Sequence, residues 1–125
     1  MKKILVADDK ASSRELLRTL LEHVGYEIHE AADGEEALEV ARRISLDLIL
    51  LDIHMPKLDG YGTVRAMRSD ERLRDLPIVA LTASAMHSDR NRATEAGFTA
   101  YITKPVSLTV LRDELARLLA EHPAS

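Results

Sequence analysis

Cysteine and tryptophan are both missing from this chain, and only one phenylalanine and three tyrosines are present. Without cysteine there is no disulfide framework and no thiolate chemistry, which suits a reducing cytoplasm. A surplus of positive charge is missing too. Seventeen Lys and Arg stand against twenty-one Asp and Glu, a formal net charge of -4, so nucleic-acid phosphates have no basic surface to neutralise them and direct nucleic-acid binding is not expected. The apolar run Ile4 to Ala7 follows Met1-Lys2-Lys3 but stops at Asp8-Asp9, too short for an export signal or a membrane span. These features predict a cytoplasmic protein without membrane contact. No Gly-Lys-Ser or Gly-Lys-Thr closes a phosphate loop, and the five histidines show no paired zinc spacing, which argues against P-loop nucleotide chemistry and a zinc site.

The 125 residues suffice for one domain and leave no room for a second module. Hydrophobic residues make up 46% and charged residues 30%, which places the chain among ordinary globular domains and away from disordered ones. Nearly continuous apolar runs recur at Ile4-Leu5-Val6-Ala7, Leu48-Ile49-Leu50-Leu51, Ile78-Val79-Ala80-Leu81 and, more weakly, Ala100-Tyr101-Ile102. Runs without alternation suit strands of a parallel sheet covered on both faces. Tyr26 to Ala31 alternates instead and fits an exposed edge.

Between these runs the period is helical. Leu16, Leu17, Leu20, Leu21 and Val24 form one stripe that ends at Gly25. Asp33 and Glu36 form a capping box for a helix turning Ala37, Leu38, Ala41 and Ile44 inward. Gly97 closes a polar helix around Ser88 to Ala96. Ser107 caps a last helix carrying Leu111, Leu115, Leu118 and Leu119, with Val106 and Leu111 as its hydrophobic staple. Alternation of strand and helix predicts a doubly wound, flavodoxin-like (βα)5 domain over residues 1–121, followed by a tail at 122–125. Its expected sheet has five parallel strands in the order 2-1-3-4-5 with helices on both faces.

The apolar runs end on polar residues: Asp8-Asp9, Asp52, Thr82 and Thr103-Lys104. All lie at carboxyl ends of strands, the edge where open α/β sheets bind ligands. If the order is 2-1-3-4-5, the first and third strands are neighbours and Asp8, Asp9 and Asp52 are brought together. Three carboxylates so close repel one another unless a cation intervenes, and octahedral Mg2+, with Mn2+ as an alternative, suits oxygen ligands and keeps open positions for phosphoryl oxygens. Lys104 and the Thr82 hydroxyl can hold the remaining oxygens. Asp52, on the central strand, is the best nucleophile, and a carboxylate needs no general base to attack phosphorus.

At these residues the chain resembles the response-regulator receiver family, from Lys3 to Leu119. The matching elements are Asp8-Asp9, Leu50-Leu51-Asp52-Ile53-His54-Met55-Pro56 with Asp59-Gly60 after it, Leu81-Thr82-Ala83, and Tyr101-Ile102-Thr103-Lys104-Pro105. The resemblance implies that Asp52 accepts phosphate from a phosphohistidine on a sensor histidine kinase or histidine phosphotransfer protein. It implies that Asp9 binds Mg2+ directly, Asp8 through water, and that the His54 carbonyl adds a ligand. Thr82 and Lys104 then contact the phosphoryl group, Thr82 and Tyr101 form the switch, and Lys104-Pro105 is a cis peptide.

A partner face of Arg90, Asn91, Arg92, Glu95, Tyr101 and Arg112 follows from the same resemblance, as does a downstream target protein read by a monomer or a weak phosphorylation-dependent dimer. Leu81 to Met86 and Ala96-Gly97-Phe98 look most like receivers of hybrid kinases or single-domain relays, and less like those of transcription factors. Lys10 after the acid pair and His54 after Asp52 depart from the commonest family residues. The His54 side chain overhangs the phosphoryl group in the family, which predicts a phosphate lifetime that changes between about pH 6 and 8, around the reference imidazole value.

Two rivals remain open. A haloacid-dehalogenase-type phosphatase needs a second acid two residues after the nucleophile, where this chain has His54. A pseudo-receiver that never carries phosphate is at odds with the intact set Asp9, Asp52, Thr82 and Lys104. The expected protein is therefore not a turnover enzyme and acts only on its own aspartyl phosphate.

Overall fold

The computed structural model describes residues 1–83 and 86–121, without the side chain of His87. The readings that fall on Ser84-Ala85 and on the tail 122–125 lie outside these residues. Five strands and five helices alternate: β1 (Lys3–Ala7), α1 (Ala11–Val24), β2 (Glu27–Ala31), α2 (Gly34–Arg43), β3 (Leu48–Asp52), α3 (Gly60–Arg68), β4 (Ile78–Thr82), α4 (His87–Ala96), β5 (Ala100–Thr103) and α5 (Leu108–Glu121). The strands form one sheet in the order β2-β1-β3-β4-β5, and every pairing is parallel. Parallel neighbours require crossovers, and the helices supply them.

The sheet's two faces follow the period-two direction of its side chains. Leu5, Ala7, Ile49, Leu51, Ile78 and Ala80 point to one side and pack with Ala37, Leu38, Ala41, Val64, Met67, Ala93 and Phe98 of α2, α3, α4 and the turn after α4. Ile4, Val6, Leu48, Leu50, Val79 and Leu81 point to the other and pack with Leu17, Leu21, Leu111, Leu115 and Leu118 of α1 and α5. Central β3 and β4 are buried at every position, whereas edge strands β2 and β5 are buried only in part. The unbroken apolar runs are therefore the doubly covered strands.

The helix ends agree with their capping residues. Asp33 Oδ1 accepts from the Glu36 N–H at 2.8 Å while Glu36 Oε1 accepts from the Ala32 N–H at 2.7 Å, and Gly25 and Gly97 end α1 and α4 in the left-handed region with φ of 113° and 119°. The α1 stripe is narrower than its sequence indicates. Leu17 and Leu21 are buried, but Leu16 is 60% exposed and Val24 37%. The sequence pattern does not single out α3, since Gly60 and Gly62 weaken its first turn. Asp59 starts it, its Oδ1 accepting from the Gly62 N–H at 2.8 Å.

Candidate functional site

Register brings the polar strand ends together. Ala7 pairs with Leu51, Asp52 with Leu81 and Thr82 with Thr103, so Asp8, Asp52, Thr82 and Lys104 emerge side by side at the carboxyl edge of four adjacent strands. Carboxylate oxygens of Asp8, Asp9 and Asp52 lie within 4.8 Å of one another. Asp8 and Asp52 are buried and Asp9 is exposed, which leaves the cluster open to solvent on one side.

Lys104 reaches over both buried acids, its Nζ 3.0 Å from Asp52 Oδ2 and 3.3 Å from Asp8 Oδ2. The remaining oxygens accept backbone hydrogen bonds, Asp52 Oδ1 from the His54 N–H at 3.0 Å and Asp8 Oδ1 from the Lys10 N–H at 2.9 Å. The Lys104-Pro105 peptide is cis, and the Lys104 N–H donates to the Thr82 carbonyl at 2.7 Å. Thr82 is buried at the end of β4.

Burial, the largest influence, pushes the Asp52 carboxyl above the ordinary aspartate range, against the Lys104 and His54 hydrogen bonds that favour its ionised form. For Lys104, burial favours the neutral amine, but Asp52 and Asp8 together outweigh it and hold the ammonium above its usual value. The site thus carries three carboxylates against one ammonium within reach. Hard oxygen donors with an uncompensated negative charge fit a hard divalent cation, and Asp8, Asp9 and Asp52 are the side chains that can hold it.

Tyr101 stands apart from the acids. Its ring is partly buried against the α2-α3-α4 core, the Arg90 guanidinium lies 4.6 Å from the ring centroid, and its buried hydroxyl has no hydrogen-bond partner among the described residues. Of the other residues expected on the partner face, Arg92 stacks 4.1 Å from the centroid of Tyr61, and Arg112 is exposed on α5 near Asp113. Lys10 is exposed, in accord with a solvated lysine. One residue at the site escaped the sequence reading: Arg14 on α1, whose Nη1 donates to the Asp8 carbonyl at 2.8 Å. Its only sequence signal is a place on the first turns of the helix that follows the acid pair.

With this geometry the chain is a response regulator receiver domain of the kind found in two-component signalling, and that family's model matches residues 4–116. The chain is 45% identical over 117 residues to the probable transcriptional regulator ycf27 of Porphyridium aerugineum, a match over 94% of this chain and 48% of that protein. It therefore spans about half the length of the ycf27 relatives it matches. The polar-differentiation response regulator DivK of Brucella ovis is 39% identical over 107 residues, covering 86% of this chain and 87% of DivK. Among solved structures, chemotaxis protein CheY4 of Vibrio cholerae superposes with a TM-score of 0.91 at 34% identity, over 95% of this chain and 99% of CheY4. The receiver domain of the Pseudomonas aeruginosa sensor histidine kinase PA1611, solved with a magnesium ion coordinated in its active site cleft, gives 0.89 at 35% identity, over 95% and 98%. Likeness thus extends to receivers of transcriptional regulators as well as to stand-alone and kinase-borne ones, so the expected distance from transcription-factor receivers does not hold. No helix among the described residues is long and apolar enough to cross a membrane.

Proposed function

We propose that this receiver takes a phosphoryl group onto Asp52 from a phosphohistidine of a sensor histidine kinase or histidine phosphotransfer protein, with Mg2+ held by Asp8, Asp9, Asp52 and the His54 carbonyl. An Asp52 carboxylate oxygen attacks phosphorus, the bond from phosphorus to the imidazole nitrogen breaks, and the departing imidazole takes up a proton. The metal supplies charge neutralisation and orientation of the phosphoryl oxygens. Lys104, already within 3.0 Å of Asp52, passes its charge to the incoming oxygens, and the Thr82 hydroxyl binds another. Movement of Thr82 toward that group, followed by Tyr101, then shifts the population toward a state that a downstream target protein reads.

The observation that carries this reading is one lysine bridging two buried carboxylates beside an exposed third, on the edge where doubly wound sheets bind ligands. Beside Asp8 and Lys104 opens a mainly apolar cleft of about 240 Å3, lined also by Leu16, Leu20, Pro105 and Val106, which gives the phosphodonor protein a surface next to the acceptor. We assign the signalling unit to residues 1–121, working in the cytoplasm as a monomer or weak phosphorylation-dependent dimer and without turning over a separate substrate.

Incubation with acetyl phosphate and Mg2+ tests the proposal. A stoichiometric, base-labile gain of one phosphoryl group, absent from Asp52→Asn and from samples in EDTA, is expected. Continuous release of phosphate from other phosphomonoesters points to a phosphatase, and no labelling at all points to a pseudo-receiver; either result overturns the assignment.

A further inference from the structure

We propose that Arg14, braced by Glu30, is a positioning residue for the acid pair and thereby sets the affinity of the site for its divalent cation. This rests on the metal-dependent reading of the site given above. The β1 ladder runs through Ala7. Asp8 still donates its N–H to the Ala31 carbonyl at 3.1 Å, but its own carbonyl leaves the sheet at a fully buried residue and needs a donor from elsewhere. Arg14 Nη1 supplies it at 2.8 Å. The oxygen so fixed belongs to the peptide that joins Asp8 to Asp9, and the orientation of that peptide sets where both carboxylates point.

Arg14 is itself held. Its Nε donates to Glu30 Oε1 on edge strand β2 at 3.2 Å, the other Glu30 oxygen is bound by Arg18 Nη1, and Arg18 Nε lies 3.4 Å from Glu22 Oε1. Two arginines and two glutamates cancel in charge, so the brace orients the acids without placing a net positive charge beside a cation site. The planar guanidinium matters here. A fixed fork reaches the Asp8 carbonyl and Glu30 together, while a lysine ammonium on a flexible stem satisfies one acceptor at a time with less orientation.

This is a different task from capping α1, which starts at Lys10 with no side-chain cap and with the ordinary Arg14 N–H to Lys10 carbonyl bond at 3.1 Å. The backbone bond survives any substitution at position 14 except proline. Outer partners that orient metal-binding groups typically change affinity by about 10- to 100-fold when removed, and the exposed Asp9 has the most freedom to drift.

Mg2+ titration by calorimetry, with Mn2+ binding by electron paramagnetic resonance as a second readout, tests the proposal on the full chain. Wild type, Arg14→Ala, Arg14→Lys and Glu30→Gln are compared, with urea midpoints measured in EDTA. We expect cation affinity to fall about tenfold in Arg14→Ala and less in Arg14→Lys and Glu30→Gln. Acetyl phosphate labelling of Arg14→Ala should return toward the wild-type rate at saturating Mg2+. A folded Arg14→Ala with wild-type affinity overturns the proposal, as does a labelling loss that saturating Mg2+ does not repair. If Arg14→Ala fails to fold, the other two variants decide, and wild-type affinity in both refutes it. A wild-type chain that binds neither ion overturns the metal reading itself, a result distinct from equal affinities across the series.

Discussion

Asp8 and Asp52 are bound in the same manner: each gives Oδ1 to the backbone N–H two residues further on, and each gives Oδ2 to the single Lys104 ammonium. One cation therefore faces two buried anions. Burial still leaves the Asp52 carboxyl titrating above its ordinary range, so the folded chain takes up a proton at Asp52 more readily than the unfolded chain does. The sign follows by linkage: stability falls as pH rises from the ordinary aspartate value through the raised folded value, and the cost is fully present at neutral pH. Asp52→Asn should then unfold at higher urea concentration than wild type at pH 7 in EDTA, with the gap closing as the solution is acidified through that window. Equal midpoints at pH 7 refute the claim.

Lys104→Met tests the other partner and should act in the opposite direction. It leaves adjacent buried carboxylates without their cation, and breaking a buried pair from one side costs about 3–5 kcal/mol. Lys104 is 29% exposed, which screens the loss toward about 2 kcal/mol. The Lys104 ammonium is held above its usual value, so its contribution is complete at neutral pH and disappears only as pH rises through that folded value. Mg2+ should recover part of the loss, since an ion that binds only the folded state stabilises it by mass action. Urea midpoints with and without Mg2+ give both quantities.

Gly60 is required by close approach. A Cβ built there meets Ile53 Cα at 2.5 Å and the Asp52 carbonyl oxygen at 2.7 Å, both backbone atoms of the chain segment that presents the acceptor, while the Gly60 N–H donates to the Ile53 carbonyl at 2.8 Å. Gly60→Ala should cost about 2–3 kcal/mol, at the upper end for overpacking because no flexible side chain can give way. It should also slow labelling of Asp52 at saturating Mg2+. A urea midpoint and labelling rate within error of wild type remove this account.

The strands and the edge that carries the candidate site are legible in the sequence because both depend on where unbroken apolar runs stop, whereas the lateral order of the strands is not written in those runs and comes from the family resemblance. Ile4 to Ala7, Leu48 to Leu51 and Ile78 to Leu81 mark doubly covered strands, and the polar residue after each run falls on the same edge. Other features were illegible for equally physical reasons. Leu16 belongs to an unbroken leucine stripe yet is 60% exposed, since periodicity reports an apolar face but not how much of it another element covers. α3 hid behind two glycines and is held in place by its Asp59 cap and by the burial of Val64 and Met67. Arg14 looked like any charged residue on a helix, because its role lies in a backbone carbonyl that sequence patterns do not display.

Arg68 shows the same kind of hidden role away from the site. Its guanidinium donates to the carbonyls of Gly97, Leu73, Arg74 and Leu76 at 2.8, 3.2, 2.9 and 2.7 Å, and to Thr99 Oγ1 at 3.1 Å. It thereby ties the α3-β4 connection to the end of α4. Hydrogen bonds from a charged group contribute about 1.5–3 kcal/mol, and a single substitution here removes several together. Arg68→Met should destabilise by about 3 kcal/mol, and Arg68→Lys should recover little because an ammonium cannot span the same acceptors. Amide exchange checks the location as well as the size: protection should fall at Leu73, Leu76 and Phe98 ahead of the β3 core.

Tyr101 and Arg90 set how firmly α4 is held. Ala93 and Ala96 are the buried side chains it offers to the core among the described residues, and such small groups bury little apolar area. The cation-π contacts of Arg90 with Tyr101 and of Arg92 with Tyr61 therefore carry an unusual share of its attachment, each worth about 0.5–1 kcal/mol where partly exposed. Arg90→Ala should lower stability by about that amount, and Tyr101→Leu should remove the same contact, so the double variant loses less than the sum of the singles. Tyr101→Phe keeps the ring and deletes a buried hydroxyl with no partner among the described residues, which should raise stability by about 1 kcal/mol by relieving an unsatisfied polar group. Relief of that hydroxyl leaves the ring against Arg90 and the core, so in Tyr101→Phe amide exchange in Arg90 to Ala96 should slow while exchange in α1 stays unchanged. Additive losses for Arg90→Ala and Tyr101→Leu, or faster exchange in Tyr101→Phe, would sink this view of how α4 is attached.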